Sequence, residues 1–233
     1  MIIFNGADFE EISPGKIKID DIHVSPINAE PVQRQNVGLG QDYVRMTGGQ
    51  RTITITFAVL DDDIDERVKI LESIKEWADL WEEHPLILPM YPDKHFDCRC
   101  TKVPEPSYRM WWESKLRIVF TTFENPYLTS NDEIRANTNE PLTIGGTAPP
   151  IVHIERRLIS ATANQTYSCN GQSMFFSQIP AGNMKIDLNK ETAEVSGVSI
   201  MKYFGKTSKF IKPVNGNMKI TGTGTIIYRE RWK

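Results

Sequence analysis

Apolar and polar residues alternate over residues 52–59, a stretch that directly follows a pair of glycines. The apolar positions are Ile53, Ile55, Phe57 and Val59, and the polar positions between them are Thr52, Thr54 and Thr56. Strict alternation is typical of a β-strand with one face toward a core, because successive side chains point to opposite sides. Gly48-Gly49 predicts a bend or bulge at the start of this strand.

A second pattern begins at three successive aspartates and has the spacing of an α-helix. Its apolar positions are Ile64, Val68, Leu71, Ile74, Trp77, Ala78 and Trp81. Aspartates suit a helix N-terminus because its free N–H groups and its dipole attract negative charge, and Pro85 ends the pattern. The spacing predicts a helix over about residues 63–83, with Val68, Leu71 and Trp81 packed against the apolar face of the 52–59 strand.

Turn-forming residues concentrate in residues 131–150, where the periodicity lapses. This predicts a linker between an N-terminal domain of residues 1–130 and a C-terminal domain of residues 151–233. Short strands with turns between them recur after the linker, as in an antiparallel β-sandwich. The expected fold class is mainly β: an α+β N-terminal domain with strands around one main helix and an exposed polar arm near residues 30–42, followed by a C-terminal antiparallel β-sandwich.

The composition limits the class of protein. The chain has 233 residues, of which 39% are hydrophobic, enough for one large domain or two small ones. No apolar stretch approaches the ~20 residues of a membrane helix, and the N-terminus has no basic and apolar leader. We therefore expect cytoplasmic synthesis and no membrane partner. Three cysteines, an odd and low number, predict reduced thiols rather than a disulfide framework.

The net charge of −3 conceals an uneven distribution. Up to Glu133 the chain has 14 Lys and Arg against 24 Asp and Glu, whereas from Ile134 onward it has 13 against 6. Such asymmetry indicates two units with different surroundings.

Two clusters invite comparison with metal sites. Asp61, Asp63 and Asp65 have the spacing of the first ligands of an EF-hand, but Glu66 stands where that loop requires glycine, so helix capping explains them better. Cys98 and Cys100 are separated by one residue, not the two to four of structural zinc sites, which favours half-buried thiols. We expect no metal site and no cofactor.

Catalytic signatures are absent from the sequence. It has no nucleophile elbow, no zinc-protease motif and no phosphate-binding loop. Lysines and aromatic residues are interspersed over residues 202–219. This fits either a surface that binds nucleic acid or ordinary strands with one solvent-exposed face. Because no catalytic motif is present, we expect no reaction. Because the first half is acidic, we expect no sequence-specific nucleic-acid partner. Trp111-Trp112 fits a sugar-binding surface, a subunit contact or burial near the helix.

The order of these landmarks resembles the distal tail protein family of long-tailed bacteriophages. The segment Arg45-Met-Thr-Gly-Gly-Gln-Arg51 runs into the alternating strand, and a single helix and Pro85-Leu-Ile-Leu-Pro89 follow. The chain closes with Pro213-Val-Asn-Gly-Asn217 and Thr225-Ile-Ile-Tyr-Arg-Glu-Arg-Trp232. These are similar to the family's final β-hairpin, although its Pro-Gly-Asn-type turn is altered here. The resemblance covers nearly the whole chain through this combination of motifs.

The resemblance implies a structural virion protein and not an enzyme. Members of the family form a six-fold ring at the distal end of the tail tube, with N-terminal domains in the ring and galectin-like C-terminal sandwiches projecting outward. The implied partners are further copies in a homo-hexamer, the major tail tube protein, the tail-associated tip or lysin protein at the tip or baseplate and, in some phages, a receptor-binding protein. The implied location is the virion tail. Acidic domains lining a channel would repel passing DNA.

On this resemblance, one group of residues is expected to serve assembly, and a second group is expected to form the C-terminal hairpin. A closed ring needs sheet edges that pair between copies, since open edges otherwise aggregate. The expected intersubunit strand and hinge comprise Arg45, Gly48, Gly49, Arg51, Thr52, Thr54 and Thr56, and the expected C-terminal hairpin includes Asn215, Gly216, Tyr228, Arg231 and Trp232.

Two other functions stay open at the level of the sequence. The first is a carbohydrate-binding adhesion module with a β-sandwich that forms no ring. The second is a sugar-cleaving tail enzyme, because two carboxylates distant in sequence can meet in space. Six-fold association distinguishes the ring protein from the adhesion module, and turnover of a polysaccharide identifies the enzyme.

Overall fold

The computed structural model describes residues 1–27, 49–78, 81–104 and 115–233, together with the backbone of residues 32–33 and 44–45. The chain divides into two compact units, Met1–Leu128 and Thr129–Lys233, called here the first unit and the second unit. Strands dominate both units, and the described residues contain a single α-helix. The prediction of a mainly β fold with one main helix is confirmed.

The first unit is one antiparallel sheet with the helix on it. Its elements are β1 (Ile3–Phe4), β2 (Ala7–Asp8), β3 (Ile17–Val24), β4 (Val32–Gln33), β5 (Val44–Arg45), β6 (Arg51–Val59), α1 (Ile64–Ala78), β7 (His84–Leu88), β8 (Tyr91–Lys102) and β9 (Leu116–Thr122). The order in the sheet is β3-β6-β9-β8-β7-β1-β2. β4, within the predicted arm, pairs with β5, which follows the arm, outside this sheet.

Aromatic side chains join the helix to the sheet in the first unit. As the alternation predicts, Ile53, Ile55 and Phe57 on β6 are fully buried. The Trp77 ring on α1 lies 5.0 Å from the Phe9 ring and 6.0 Å from the Phe120 ring, measured between centroids. Trp77 Nε1 also donates a hydrogen bond of 3.0 Å to the Ala7 carbonyl.

The helix begins as predicted and ends earlier. The Asp63 carboxylate accepts the Asp65 N–H at 2.9 Å, which caps the first turn. The helix ends at Ala78 instead of about residue 83, because the chain must be extended at His84 to pair with Cys98 on β8. Trp81 therefore lies beyond the helix and is 88% exposed. Its predicted packing on β6 is wrong, and Trp77 one turn earlier is the half-buried tryptophan that packs on the sheet.

The second unit has two layers of antiparallel strands. Its elements are β10 (Leu128–Ser130), which begins at the unit boundary, β11 (Ile134–Asn137), β12 (Leu142–Ile144), β13 (Ala148–Leu158), β14 (Thr162–Cys169), β15 (Gln172–Ile179), β16 (Gly182–Asp187), β17 (Thr192–Val195), β18 (Val198–Ser199), β19 (Gly216–Met218) and β20 (Thr225–Trp232). One layer has the order β18-β17-β16-β13-β20-β11. The other contains the hairpin β14-β15 and the paired strands β12 and β19, and an isolated bridge joins Ser168 to Thr221.

The inward side chains of both layers form one hydrophobic core, which includes Ile154, Ile226, Tyr167 and Phe176. This is the arrangement of a β-sandwich. The predicted linker over residues 131–150 is wrong in the structure, because these residues supply β11, β12 and the start of β13. Leu142 and Ile144 are buried in the same core. The glycines and prolines there separate short strands of the sandwich.

Candidate interface surfaces

β6 contains the predicted intersubunit strand, and the structure places it inside the sheet. Its backbone pairs with β3 along one edge and with β9 along the other. Thr52, Thr54 and Thr56 are half-buried on the face opposite the core. The prediction that this strand pairs with another copy is therefore wrong, because neither of its edges is free. Gly49 precedes the strand, the backbone of Arg45 lies in β5, and Gly48 is outside the described residues.

β3 forms an edge of the sheet in the described part of the first unit. The Leu60 N–H donates to the Lys16 carbonyl at 2.7 Å, and the Ser25 N–H donates to the Thr52 carbonyl at 2.8 Å. In an antiparallel pair, the backbone groups of successive residues point alternately toward the partner strand and away from it. These two bonds therefore fix which β3 residues bond to β6 on each side of the irregularity between Ile19 and Asp21. The residues whose backbone groups then point away from β6 are Ile17, Ile19, Ile22 and Val24.

The side chains of β3 match this edge position. Ile22 and Val24 are half-buried, whereas their partners on β6, Ile55 and Ile53, are fully buried. Lys18, Asp20, Asp21 and His23 are exposed. The opposite edge of the sheet, at β2, differs because Trp77 donates its indole N–H to the Ala7 carbonyl there. β3 is thus the longer edge and offers a row of backbone groups to a further strand.

Arg51 begins β6, and Thr122 on β9 holds its backbone. The Arg51 N–H donates to Thr122 Oγ1 at 2.9 Å, and Thr122 is fully buried. The guanidinium carbon lies 5.6 Å from the centroid of the Phe96 ring on β8. Burial lowers the pKa of Arg51, while the Tyr91 phenol acts in the opposite direction.

The predicted C-terminal hairpin does not form. Asn215 and Gly216 precede or begin β19, which pairs with β12, whereas Tyr228, Arg231 and Trp232 lie on β20 between β11 and β13. The two strands belong to opposite layers, because residues 219–224 carry the chain from one layer to the other. The Tyr167 hydroxyl donates to the Thr223 carbonyl at 2.9 Å within that crossing.

The residues whose spacing was compared with that of metal ligands have structural roles. Asp61 accepts the Asp63 N–H at 2.9 Å and forms an ion pair of 2.8 Å with Lys16, which lowers the pKa of Asp61. Cys98 is fully buried, and burial raises the pKa of its thiol. Within the described ranges, no group of three or more His, Cys, Asp or Glu could hold a metal ion. No helix there has the length and apolar character of a membrane span.

Sequence reasoning missed the edge position of β3, although a signal was present. Its Lys18, Asp20 and Asp21 are charges of the kind that protect sheet edges. The exposed apolar turn between β7 and β8 was also missed. It contains Met90, which is 47% exposed, and ends at Tyr91, which is 36% exposed.

Comparison with known proteins gives a match in structure alone. No protein-family model matches the chain, and no curated protein sequence does either. The SPP1 Dit protein, whose crystal structure is presented as a paradigm of the hub adsorption apparatus in phages that infect Gram-positive bacteria, superposes with a TM-score of 0.71 and 17% sequence identity. That alignment covers 100% of this chain and 98% of the SPP1 Dit chain.

A chain of the phage P2 baseplate in its activated conformation also superposes, with a TM-score of 0.46, 9% identity and coverage of 95% of this chain and 92% of that chain. The match to the SPP1 Dit protein confirms the predicted resemblance to distal tail proteins at the level of the fold. Both units of this chain share the fold of the SPP1 Dit protein over its whole length.

Proposed function

We propose that this protein is a structural component of a long-tailed phage tail that forms a ring at the distal end of the tail tube. The observation that carries the proposal is the full-length match to the SPP1 Dit hub protein, which includes both units in the same order. A shared fold does not by itself fix a function. The proposal therefore also depends on whether the surface of this chain suits assembly.

The open edge of β3 provides a physical basis for a ring. Backbone groups of four β3 residues point away from β6, and a strand of a neighbouring copy would satisfy them. Because β3 would contact a different surface of the neighbour, the contact is head-to-tail. Such contacts close into a ring when the rotations between successive copies add up to a full turn. β3 thus takes the intersubunit role for which the sequence had favoured β6.

The charges of the two units fit different positions in such a ring. The first unit has 14 Lys and Arg against 22 Asp and Glu, and the second has 13 against 8. If the first units surround a channel, their excess acid repels the phosphates of passing DNA. The second units would then project outward.

We assign to the ring the partners that a tail position requires. These are five further copies of the chain, the tail tube protein on one side, the tip or lysin protein on the other and, on the second units, a receptor-binding protein in some phages. The protein would act in the virion tail by connecting the tube to the tip and to host attachment. No reaction is part of this function.

The mass of the purified protein in solution tests the proposal. One chain has a mass of 26.6 kDa, so six copies have a mass of about 160 kDa. Size-exclusion chromatography with light scattering should give the larger mass, and electron microscopy should show closed rings. A protein that stays monomeric over the whole accessible concentration range would contradict the proposal and favour the adhesion module.

A further inference from the structure

Arg51 has a fixed backbone and a guanidinium whose Nε has no hydrogen-bonding partner in the described part of the chain. Its Nε atom is shielded from solvent and forms no hydrogen bond. The guanidinium lies against the Phe96 ring, and the Thr122 hydroxyl fixes the backbone of the same residue. The strand thus places this cation in one position at the start of β6.

No carboxylate in the described part of the chain forms an ion pair with Arg51. The titratable group that acts on it electrostatically is the Tyr91 phenol, and burial lowers the pKa of the guanidinium. A desolvated charge without a counter-charge costs free energy. The cost falls when an anion from outside the chain pairs with the guanidinium.

The surroundings of Arg51 have the composition of a protein interface. Tyr91 lies next to Phe96, with 6.5 Å between the ring centroids, and is 36% exposed. Met90 precedes Tyr91 in the turn between β7 and β8 and is 47% exposed. Arginine, tyrosine and methionine are enriched in the buried centres of protein interfaces.

We propose that Arg51, Phe96 and Tyr91 form a receiving site for a carboxylate side chain of a neighbouring copy, an inference that rests on the proposed ring. A guanidinium presents paired N–H donors that match the two oxygens of a carboxylate. The first unit of a second copy is a suitable source, because it carries 22 Asp and Glu against 14 Lys and Arg.

Arg51→Gln tests the site, and Arg99→Gln is the matched control. The Arg99 guanidinium also lies on an aromatic ring, that of Phe123 at 4.7 Å, but it donates to the Trp81 carbonyl at 3.3 Å. We expect Arg51→Gln to raise the dissociation constant between copies at least about thirtyfold, as the loss of a buried interface arginine does. Arg99→Gln should leave that constant unchanged.

The thermal midpoint of the dilute monomer separates an assembly role from a structural one. Arg51→Gln removes a partly buried charge that has no ion-pair partner among the described residues, so the midpoint should stay the same or rise while association weakens. A lower midpoint together with weaker association would show that Arg51 supports the fold, and would overturn the inference. Arg51→Gln rings as stable as those of the wild type would also overturn it.

Two further measurements keep the outcomes distinct. A wild-type protein that never associates contradicts the ring itself, whereas rings in both wild type and Arg51→Gln contradict this site alone.

The midpoint of the wild type is also compared in sodium phosphate and in sodium chloride at equal ionic strength. A rise in phosphate that Arg51→Gln abolishes would identify a site for free anions in place of a neighbour's carboxylate.

Discussion

Proline at Val24 should weaken ring assembly without unfolding the monomer. The backbone N–H of Val24 points away from β6, according to the alternation fixed by the Ser25-to-Thr52 hydrogen bond. Proline lacks this N–H and is tolerated on edge strands for that reason. The neighbouring residue His23 provides the contrast, because its N–H points toward Thr54 on β6.

The expected size of the effect follows from one hydrogen bond between copies. Removing the Val24 N–H leaves a carbonyl of the adjoining strand unpaired, which costs about 1–3 kcal/mol when that carbonyl is buried. This corresponds to an association constant that is roughly 5- to 150-fold weaker at each contact. His23→Pro should instead cost about 1–3 kcal/mol of folding free energy, since it removes a hydrogen bond inside the sheet and leaves the carbonyl of Thr54 without its donor.

Light scattering over a concentration series measures association, and urea unfolding followed by circular dichroism measures stability. Val24→Pro should be folded and shifted toward the monomer, whereas His23→Pro should be unstable before any assembly. If Val24→Pro forms rings at the same concentration as the wild type, the open edge of β3 is not the contact and the reasoning from backbone direction fails.

Three further predictions concern the stability of each unit. Trp77→Ala should lower the unfolding free energy by about 3–5 kcal/mol, toward the lower value because the ring is partly exposed, as checked by urea unfolding with Trp77→Phe for comparison. Tyr167→Phe should cost about 1–3 kcal/mol, since it leaves the Thr223 carbonyl without its donor; an unchanged urea midpoint would contradict this. Burial lowers the pKa of His153, so the unfolded chain takes up a proton first as the pH falls below about 6.5, and stability should decline from there down to the folded pKa. His153→Gln should remove that slope from unfolding curves measured at pH 7.5 to 5.

The sequence predicts those features that local periodicity determines. The alternating residues of β6 and the aspartates at the start of α1 were assigned correctly, because side-chain direction and helix capping depend on neighbours in the chain. The end of α1 was not, since it depends on where His84 must pair with β8. Trp77 and Trp81 have the same spacing signal, and only the position of the following strand decides which of them packs on the sheet.

The order of strands in a sheet depends on contacts that are distant in sequence, and this explains the errors at the candidate site. β6 looks like an assembly strand because a glycine pair precedes it, but pairing with β3 and β9 makes it central. The predicted C-terminal hairpin failed for a related reason. Its two strands are close in sequence, yet residues 219–224 cross between the layers of the sandwich and separate them. Turn residues mark a change of direction and do not specify the next partner.

The open edge and the unpaired guanidinium belong to the same end of the sheet. Ser25 bonds to Thr52, so the last residue of β3, Val24, lies one pair away from the residue that follows Arg51. The guanidinium itself extends across β9 to the Phe96 ring on β8, on the side of β6 away from β3, so one neighbour reaches both places only with a surface that spans this end of the sheet. If both contacts belong to one interface, the double variant Val24→Pro with Arg51→Gln should show a non-additive loss of association, because either change alone already displaces the neighbour. Strictly additive losses would mean that the backbone edge and the guanidinium serve two separate contacts around the ring.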